Sequence, residues 1–359
     1  GTLTQSKKVH SLVLDNSAML KVEGGATLTV GDGAHAAGII FNRQVSLGKD
    51  VPLTVEGAGT IDFGTSQGVL WASTPKEDGN GSNRAVALKT TVTGTSGVTF
   101  ASRKHEDAGK TGMFFLYPGF CQWTGPTYVS GALVWLQGEA KLPAGDRHVE
   151  GGSGGGGSSV RFEKPQAFAQ NVYVSGRGMQ ARGGAGDGGG ALYFMAGSDG
   201  SAFSNAVTLT DNALLENAAG VGVHFLDGVK GPGDLHVKGG TFNFYETNTY
   251  GRLEVEGTTA LAFHTNATFG AERVHVAANA TLNLSFGDGT ATAVTNVFRK
   301  EAGAQMSLAL DHAAPTFDTD VAFDALTLRN FSTLKVGGRV AFGSVSAAGA
   351  SDKQIGKDG

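Results

Sequence analysis

Apolar residues along this chain come in pairs separated by one position, and each pair recurs eight positions later. Leu12 and Leu14 are followed by Leu20 and Val22, and those by Leu28 and Val30. Val45 and Leu47 lead to Leu53 and Val55, then to Ile61 and Phe63. Further on, Leu253 and Val255 give Leu261 and Phe263, and Val274 and Val276 give Leu282 and Leu284. Leu326 and Leu328 give Leu334 and Val336, while Leu235 and Val237 reach Phe242 and Phe244 one residue sooner. Alternation at a period of two is the signature of a strand with every second side chain facing in. Between the pairs stand Asp15-Asn16-Ser17, Glu23-Gly24-Gly25, Glu56-Gly57-Ala58, Lys238-Gly239-Gly240 and Ala278-Asn279. Gly and Asn tolerate positive φ, so these segments read as turns.

A strand–turn–strand unit of this size suits a hairpin or one corner of a solenoid coil. The turns lack the Asn-Gly or Asp-Gly dipeptide of tight hairpins. The units also recur on a longer scale, because Leu235, Leu253 and Val274 are spaced by about one solenoid rung. The pattern therefore predicts an all-β fold, a right-handed single-stranded parallel β-helix, running as one continuous solenoid over 1–359. An antiparallel β-sandwich is the structural alternative. No helix-period stripe with caps interrupts the pattern.

Composition fits this reading. Glycine supplies 57 of 359 residues, well above the usual ~7%. Yet 40% of the chain is hydrophobic and 21 residues are Phe, which need a core. A disordered Gly-rich chain is poorer in such residues. The net charge of −4 carries no basic stripe, so nucleic acid is not an expected partner. No apolar run approaches the roughly 18 residues of a membrane-crossing helix. The single cysteine, Cys121, excludes a disulfide framework and reads as a small buried hydrophobe. The chain opens Gly1-Thr2 with no signal-peptide pattern, and is expected to be a processed piece of a larger protein.

Four stretches break the repeat and are expected to be loop insertions: 64–86, 101–112, 144–160 and 181–190. The first holds the polar run from Pro75 to Asn83, and the second the charged run Arg103-Lys104-His105-Glu106-Asp107. The third includes the Gly/Ser run 151–159, with the composition of a flexible linker, whether native or introduced. Loops projecting from a rigid scaffold are where binding usually resides.

Two stretches resemble known families. Thr124-Gly125-Pro126-Thr127-Tyr128-Val129-Ser130-Gly131, then Val134 and Leu136, then Leu142-Pro143-Ala144-Gly145, resembles the autotransporter-associated β-strand repeat. Gly188-Gly189-Gly190-Ala191-Leu192-Tyr193, followed by Phe203-Ser204-Asn205 and the run from Asn212 to Gly220, is similar to motifs of chlamydial polymorphic membrane proteins and related adhesins. The resemblance implies a β-helical passenger, secreted or displayed on the outer membrane of a Gram-negative bacterium. Its expected partners are a host or neighbouring cell surface, met through protein or glycan, or further copies of itself.

A search for chemistry returns no catalytic residue, no cofactor site and no metal site. Asp318, Asp320 and Asp324 are the best carboxylate cluster, with Asp318 and Asp320 expected on one strand face as glycoside hydrolysis would need. His224, His236, His264 and His275 sit in strand-like stretches and suit an outward row, without metal-binding spacing. Trp123, Tyr128 and Trp135 form an expected aromatic cluster for a sugar or protein partner. The Gly-rich run 183–188 resembles a phosphate loop, but no helix follows it. The expected function is a non-enzymatic surface passenger, an adhesin or structural element of an envelope or matrix. The alternatives are a glycan-active β-helix enzyme and a self-assembling filament subunit.

Overall fold

A computed structural model of the chain describes residues 1–15, 18–42, 53–72, 85–102, 112–151, 157–178, 189–287, 289–290 and 292–348. Among these residues there are strands, turns and bends but no helix. Contacts divide the chain into two units. Unit 1 takes in Gly1–Gln166 and Val172–Met195, and unit 2 takes in Ala167–Asn171 and Ala196–Gly359. Each is a stack of coils in a parallel β-solenoid.

In unit 2 the two strands of an eight-residue unit do not pair with each other. Leu235–Lys238 pairs with Arg252–Glu256, that strand with Arg273–Val276, and that one with Val297–Lys300. Thr241–Phe244 pairs instead with Gly222–Phe225 and Thr258–Phe263. These pairings are parallel, with Leu235 opposite Leu253 and Leu253 opposite Val274. A hairpin or sandwich would place antiparallel partners side by side, so the turn segments are corners between two sides of a coil. A third, short side is formed by Ala293–Val294, Thr316–Phe317 and Lys335–Val336. The last predicted unit runs onto this side: Leu326 and Leu328 lie in Val321–Arg329, and Val336 in Lys335–Val336. The corners are tight. Gly239 has φ 74°, and a Cβ there would sit 2.1 Å from the Asn217 carbonyl oxygen of the preceding coil.

The inward positions are the ones the alternation marks. Leu235, Val237, Phe242, Phe244, Leu253, Val255, Leu261 and Phe263 are all fully buried. In-register pairing sets like over like. Phe168, Phe203, Phe225, Phe244, Phe263 and Phe286 occupy one column. Their successive ring centroids are 4.3, 5.2, 5.3, 5.3 and 5.5 Å apart. Leu310 and Leu328 continue the column. Each aromatic pair contributes about 0.5–1.5 kcal/mol beyond the area it buries.

Unit 1 has three ladders of the same kind. One inward column runs through Val55, Leu88, Leu116, Leu136, Phe162 and Phe194. A second runs through Ile39, Leu70, Phe100, Val129, Val149 and Val174. The third is shorter, through Leu28, Ile61 and Val92 to a bridge with Cys121. Cys121 is half-buried, less enclosed than the sequence suggested, and the desolvation it does undergo pushes its thiol up.

The longer connections of unit 1 all join strands of the same two ladders. Ala37–Asn42 leads to Leu53–Asp62, Gly68–Ala72 to Ala85–Thr93, and Val98–Ser102 to Gly112–Leu116. Arg147–Glu150 leads to Ser159–Phe162, and Val172–Gly176 to Leu192–Phe194. Between Thr127–Ser130 and Ala132–Leu136 the same connection is made by Gly131 alone, at φ 63°. In each case the connection joins the second column to the first of the next coil. The ladder is indifferent to the length of chain joining two of its strands, since closure entropy grows only slowly with length.

The predicted insertions are narrower than their sequence limits. Gly68–Ala72 is a strand inside 64–86, Arg147–Glu150 is a strand inside 144–160, and Ser159–Phe162 begins within that stretch and runs past it. Ser158 and Ser159, read as linker, are fully buried. The Ser159 hydroxyl donates to the Gly190 carbonyl at 2.7 Å, and the Ser158 oxygen accepts the Gly131 N–H at 2.9 Å. Val45 and Leu47, the runs Pro75–Asn83 and Arg103–Asp107, the Gly-rich run 183–188 and the tail from 349 onward lie outside the described residues.

Truncating the phenylalanine column tests the core. Phe244→Ala removes a fully buried ring stacked on both sides, and is expected to destabilise unit 2 by ~3–5 kcal/mol in denaturant titration. Phe331→Ala, at a ring 70% exposed, is expected to stay within ~0.5 kcal/mol of the parent.

Candidate functional site

The outward side chains of the first ladder in unit 2 obey the same register. His236 pairs with Glu254, Glu254 with His275, and His275 with Arg299. One column along, Arg252 pairs with Arg273 and Arg273 with Val297. A third column carries Glu216, Lys238 and Glu256. The first coils of this face are charge-paired: Lys238 meets Glu216 at 2.9 Å and His236 lies 3.5 Å from Glu256.

The next coils are not balanced. Arg252, Glu254, Arg273, Val274, His275 and Arg299 line an open cleft of about 210 Å³. Three guanidinium groups share it with one carboxylate. Glu254 accepts from Arg252 at 3.3 Å and from His275 Nδ1 at 2.5 Å. His275 Nε2 lies 3.1 Å from Glu301, whose other oxygen accepts the Ala278 N–H at 2.9 Å. His275 thus spans two carboxylates, and both its nitrogens donate only when the ring is protonated. Arg273 and Arg299 are exposed and make no ion pair among the described residues. Arg252 and Arg273 stand directly opposite each other on neighbouring strands, an arrangement that is destabilising for like charges. A cleft that gathers donors without matching acceptors can hold an anionic group.

The other histidines lie on the second ladder. His224 Nδ1 is 3.0 Å from the Tyr245 hydroxyl, and His264 stacks on Tyr245 at 4.2 Å. Burial, with His264 close by, lowers the His224 pKa below its ordinary value. The four predicted histidines therefore face outward, but as two separate groups. Among the described residues no cluster of His, Cys, Asp or Glu has the arrangement of a metal site.

The carboxylates separate as well. Asp318 and Asp320 lie in the corner between Thr316–Phe317 and Val321–Arg329, and not along one strand face as the alternation suggested. Phe317 and Val321 turn inward, and the bend between them leaves no strand register for the two acids to share. Asp320 accepts the Arg339 N–H at 2.8 Å. Asp324 accepts the Met306 N–H at 2.7 Å and pairs with Lys300 at 2.9 Å. Those two contacts hold its carboxyl below the usual aspartate value.

The predicted aromatic cluster resolves into three settings. Trp123 is core, 6.0 Å from Phe100, its Nε1 donating to Thr127 at 3.0 Å. Tyr128 heads an outward stack with His148 and Tyr173, at 4.6 Å for each step. Trp135 faces out on the other ladder, donating to Glu163 at 2.9 Å. The Arg161 guanidinium lies between Trp135 and Tyr193, 5.5 and 5.6 Å from their rings. Phase along the strand decides this: Trp123 and Tyr128 are an odd number of positions apart, and a corner intervenes.

No protein-family model, curated protein or solved structure matches this chain. Among the described residues no helix is long and apolar enough to cross a membrane.

Asp324 supplies a pH test. Its folded pKa is depressed, so its contribution is present above the unfolded value near ~3.9 and is lost as pH falls through the folded value. Asp324→Asn is expected to lower the unfolding midpoint at pH 7, with the gap to the parent closing as the pH is taken below 4. A gap that persists unchanged in acid contradicts the ion-pair and backbone-capping role.

Proposed function

We propose that this chain is a non-enzymatic surface or secreted passenger, in which a rigid solenoid presents binding surfaces to another cell or to an extracellular matrix. The supporting observation is the open arginine cleft of unit 2. It sits on strands, so the backbone ladder fixes the spacing of its side-chain anchor points and no backbone has to be ordered on binding, which lowers the cost of association. Solenoids use extended faces of this kind for recognition. The resemblance of 124–145 and 188–220 to passenger repeats points the same way, toward export and adhesion.

The non-catalytic reading rests on how the carboxylates are used. Hydrolysis of a glycosidic bond needs two carboxyls facing one bond at a fixed separation. Asp320 and Asp324 are engaged by backbone N–H groups and a lysine. The His275 ring stands between Glu254 and Glu301, where a bond flanked by the two carboxyls would have to lie.

Beads coated with the protein test the proposal. Retention on cultured cells or immobilised extracellular polysaccharide is expected to saturate with surface density and to survive washing. Absence of retention on every surface, together with turnover of any polysaccharide into shorter chains, contradicts the adhesive reading in favour of an enzyme.

A further inference from the structure

The chemistry of the cleft narrows the ligand. Arg252 and Arg273 occupy consecutive coils in one column, and Arg299 stands on the coil after them in the adjacent column. Cationic side chains therefore step along the stacking axis at the ladder spacing of ~4.8 Å per coil. That is comparable to the length of one sugar residue in an extended chain. Beside this row stand acceptors: Glu254, 14% exposed at its side chain, and Glu301, 49% exposed. An all-cationic groove would suit a dense polyanion such as nucleic acid. Here the mixture asks for a polyanion that also carries hydroxyl donors between its charges.

We infer that the cleft lined by Arg252, Arg273 and Arg299 binds an acidic polysaccharide, its carboxylate or sulfate groups on the arginines and its hydroxyls on Glu254 and Glu301. The inference rests on the adhesive reading above and names its ligand class. Arginine is suited to both anions, because its planar fork donates two parallel hydrogen bonds to a carboxylate or sulfate. The repulsion between Arg252 and Arg273 in the free protein is relieved when an anion bridges them. Val297, 46% exposed beside Arg273, offers an apolar edge to the face of a sugar ring.

The test is binding of the full chain to polygalacturonate, to heparin, to neutral dextran and to a single-stranded DNA oligonucleotide, by biolayer interferometry. The parent is compared with Arg273→Gln/Arg299→Gln and with a charge-matched control, Lys7→Gln/Lys8→Gln. Those two lysines lie in Lys7–Val9, a strand of unit 1. The parent is expected to bind polygalacturonate or heparin and not dextran. The arginine variant should bind at least ten-fold more weakly, with a melting temperature no lower than the parent's, since it relieves the repulsion between Arg252 and Arg273, and the control like the parent. Preference for polygalacturonate assigns carboxylate as the anion, and preference for heparin assigns sulfate. Three results overturn the inference: no binding to either acidic polymer, tighter binding to DNA than to both, or full affinity in the arginine variant. Beads carrying the variant separate the two levels of argument. Undiminished retention keeps the adhesive reading and removes this site, whereas failure of parent beads to adhere while the purified chain still binds polygalacturonate removes the adhesive reading and keeps the site.

Discussion

In-register parallel pairing sets each side chain of one coil over its counterpart in the next, at the ~4.8 Å of a hydrogen-bonded ladder. A strand in such a stack has two faces and no freedom to mix them, because a slip of one residue would turn every inward side chain outward. Gly239 and Asn217 show how little slack the corners leave. Both the core and the candidate site of unit 2 follow from this constraint.

Inside, stacking like over like is favourable. Six phenylalanines of one column meet face to face over centroid distances of 4.3 to 5.5 Å, and the column passes to Leu310 and Leu328 where the aromatic run ends. Outside, the same rule is costly for charge. His236, Glu254 and His275 alternate donor and acceptor down one column, and Lys238 is set between Glu216 and Glu256. Arg252 over Arg273 breaks the alternation. On a face otherwise paired so carefully, two register-matched arginines with a third nearby are the departure that a ligand would explain, since proteins spend local stability mainly at functional positions.

The coil was legible in the sequence because its period is short and its inward residues are large. Leu235, Val237, Phe242 and Phe244 announce two strands and a corner without any knowledge of partners. That the longer connections of unit 1 join the same two ladders was not visible. That fact depends on which strands pair across 20 to 35 residues, and nothing local in 64–86 or 144–160 encodes it. Strands such as Gly68–Ala72 were hidden by the polar runs beside them. The arginine cleft was not legible from local pattern. Arg252, Arg273 and Arg299 are isolated charges in the sequence, and only the ladder brings them together. A signal was present nonetheless: Arg252 precedes Leu253 as Arg273 precedes Val274, so aligning the coils on their inward residues would have stacked the two. Asp318 and Asp320 show the opposite error, where local alternation was extended through what is a corner.

Core and cleft both depend on axial stacking of the coils in unit 2, which a distance measurement reads directly. Spin labels on Ala262→Cys and Ser346→Cys, in a Cys121→Ser background, mark outward positions of one column, linked in register through Ser285, Ala309 and Thr327. Double electron–electron resonance is predicted to give a narrow distribution near ~19 Å, four ladder steps. A broad distribution, or one centred beyond about 30 Å, exceeds anything four steps of the ladder allow and would contradict the stacked register on which both the core and the cleft rest.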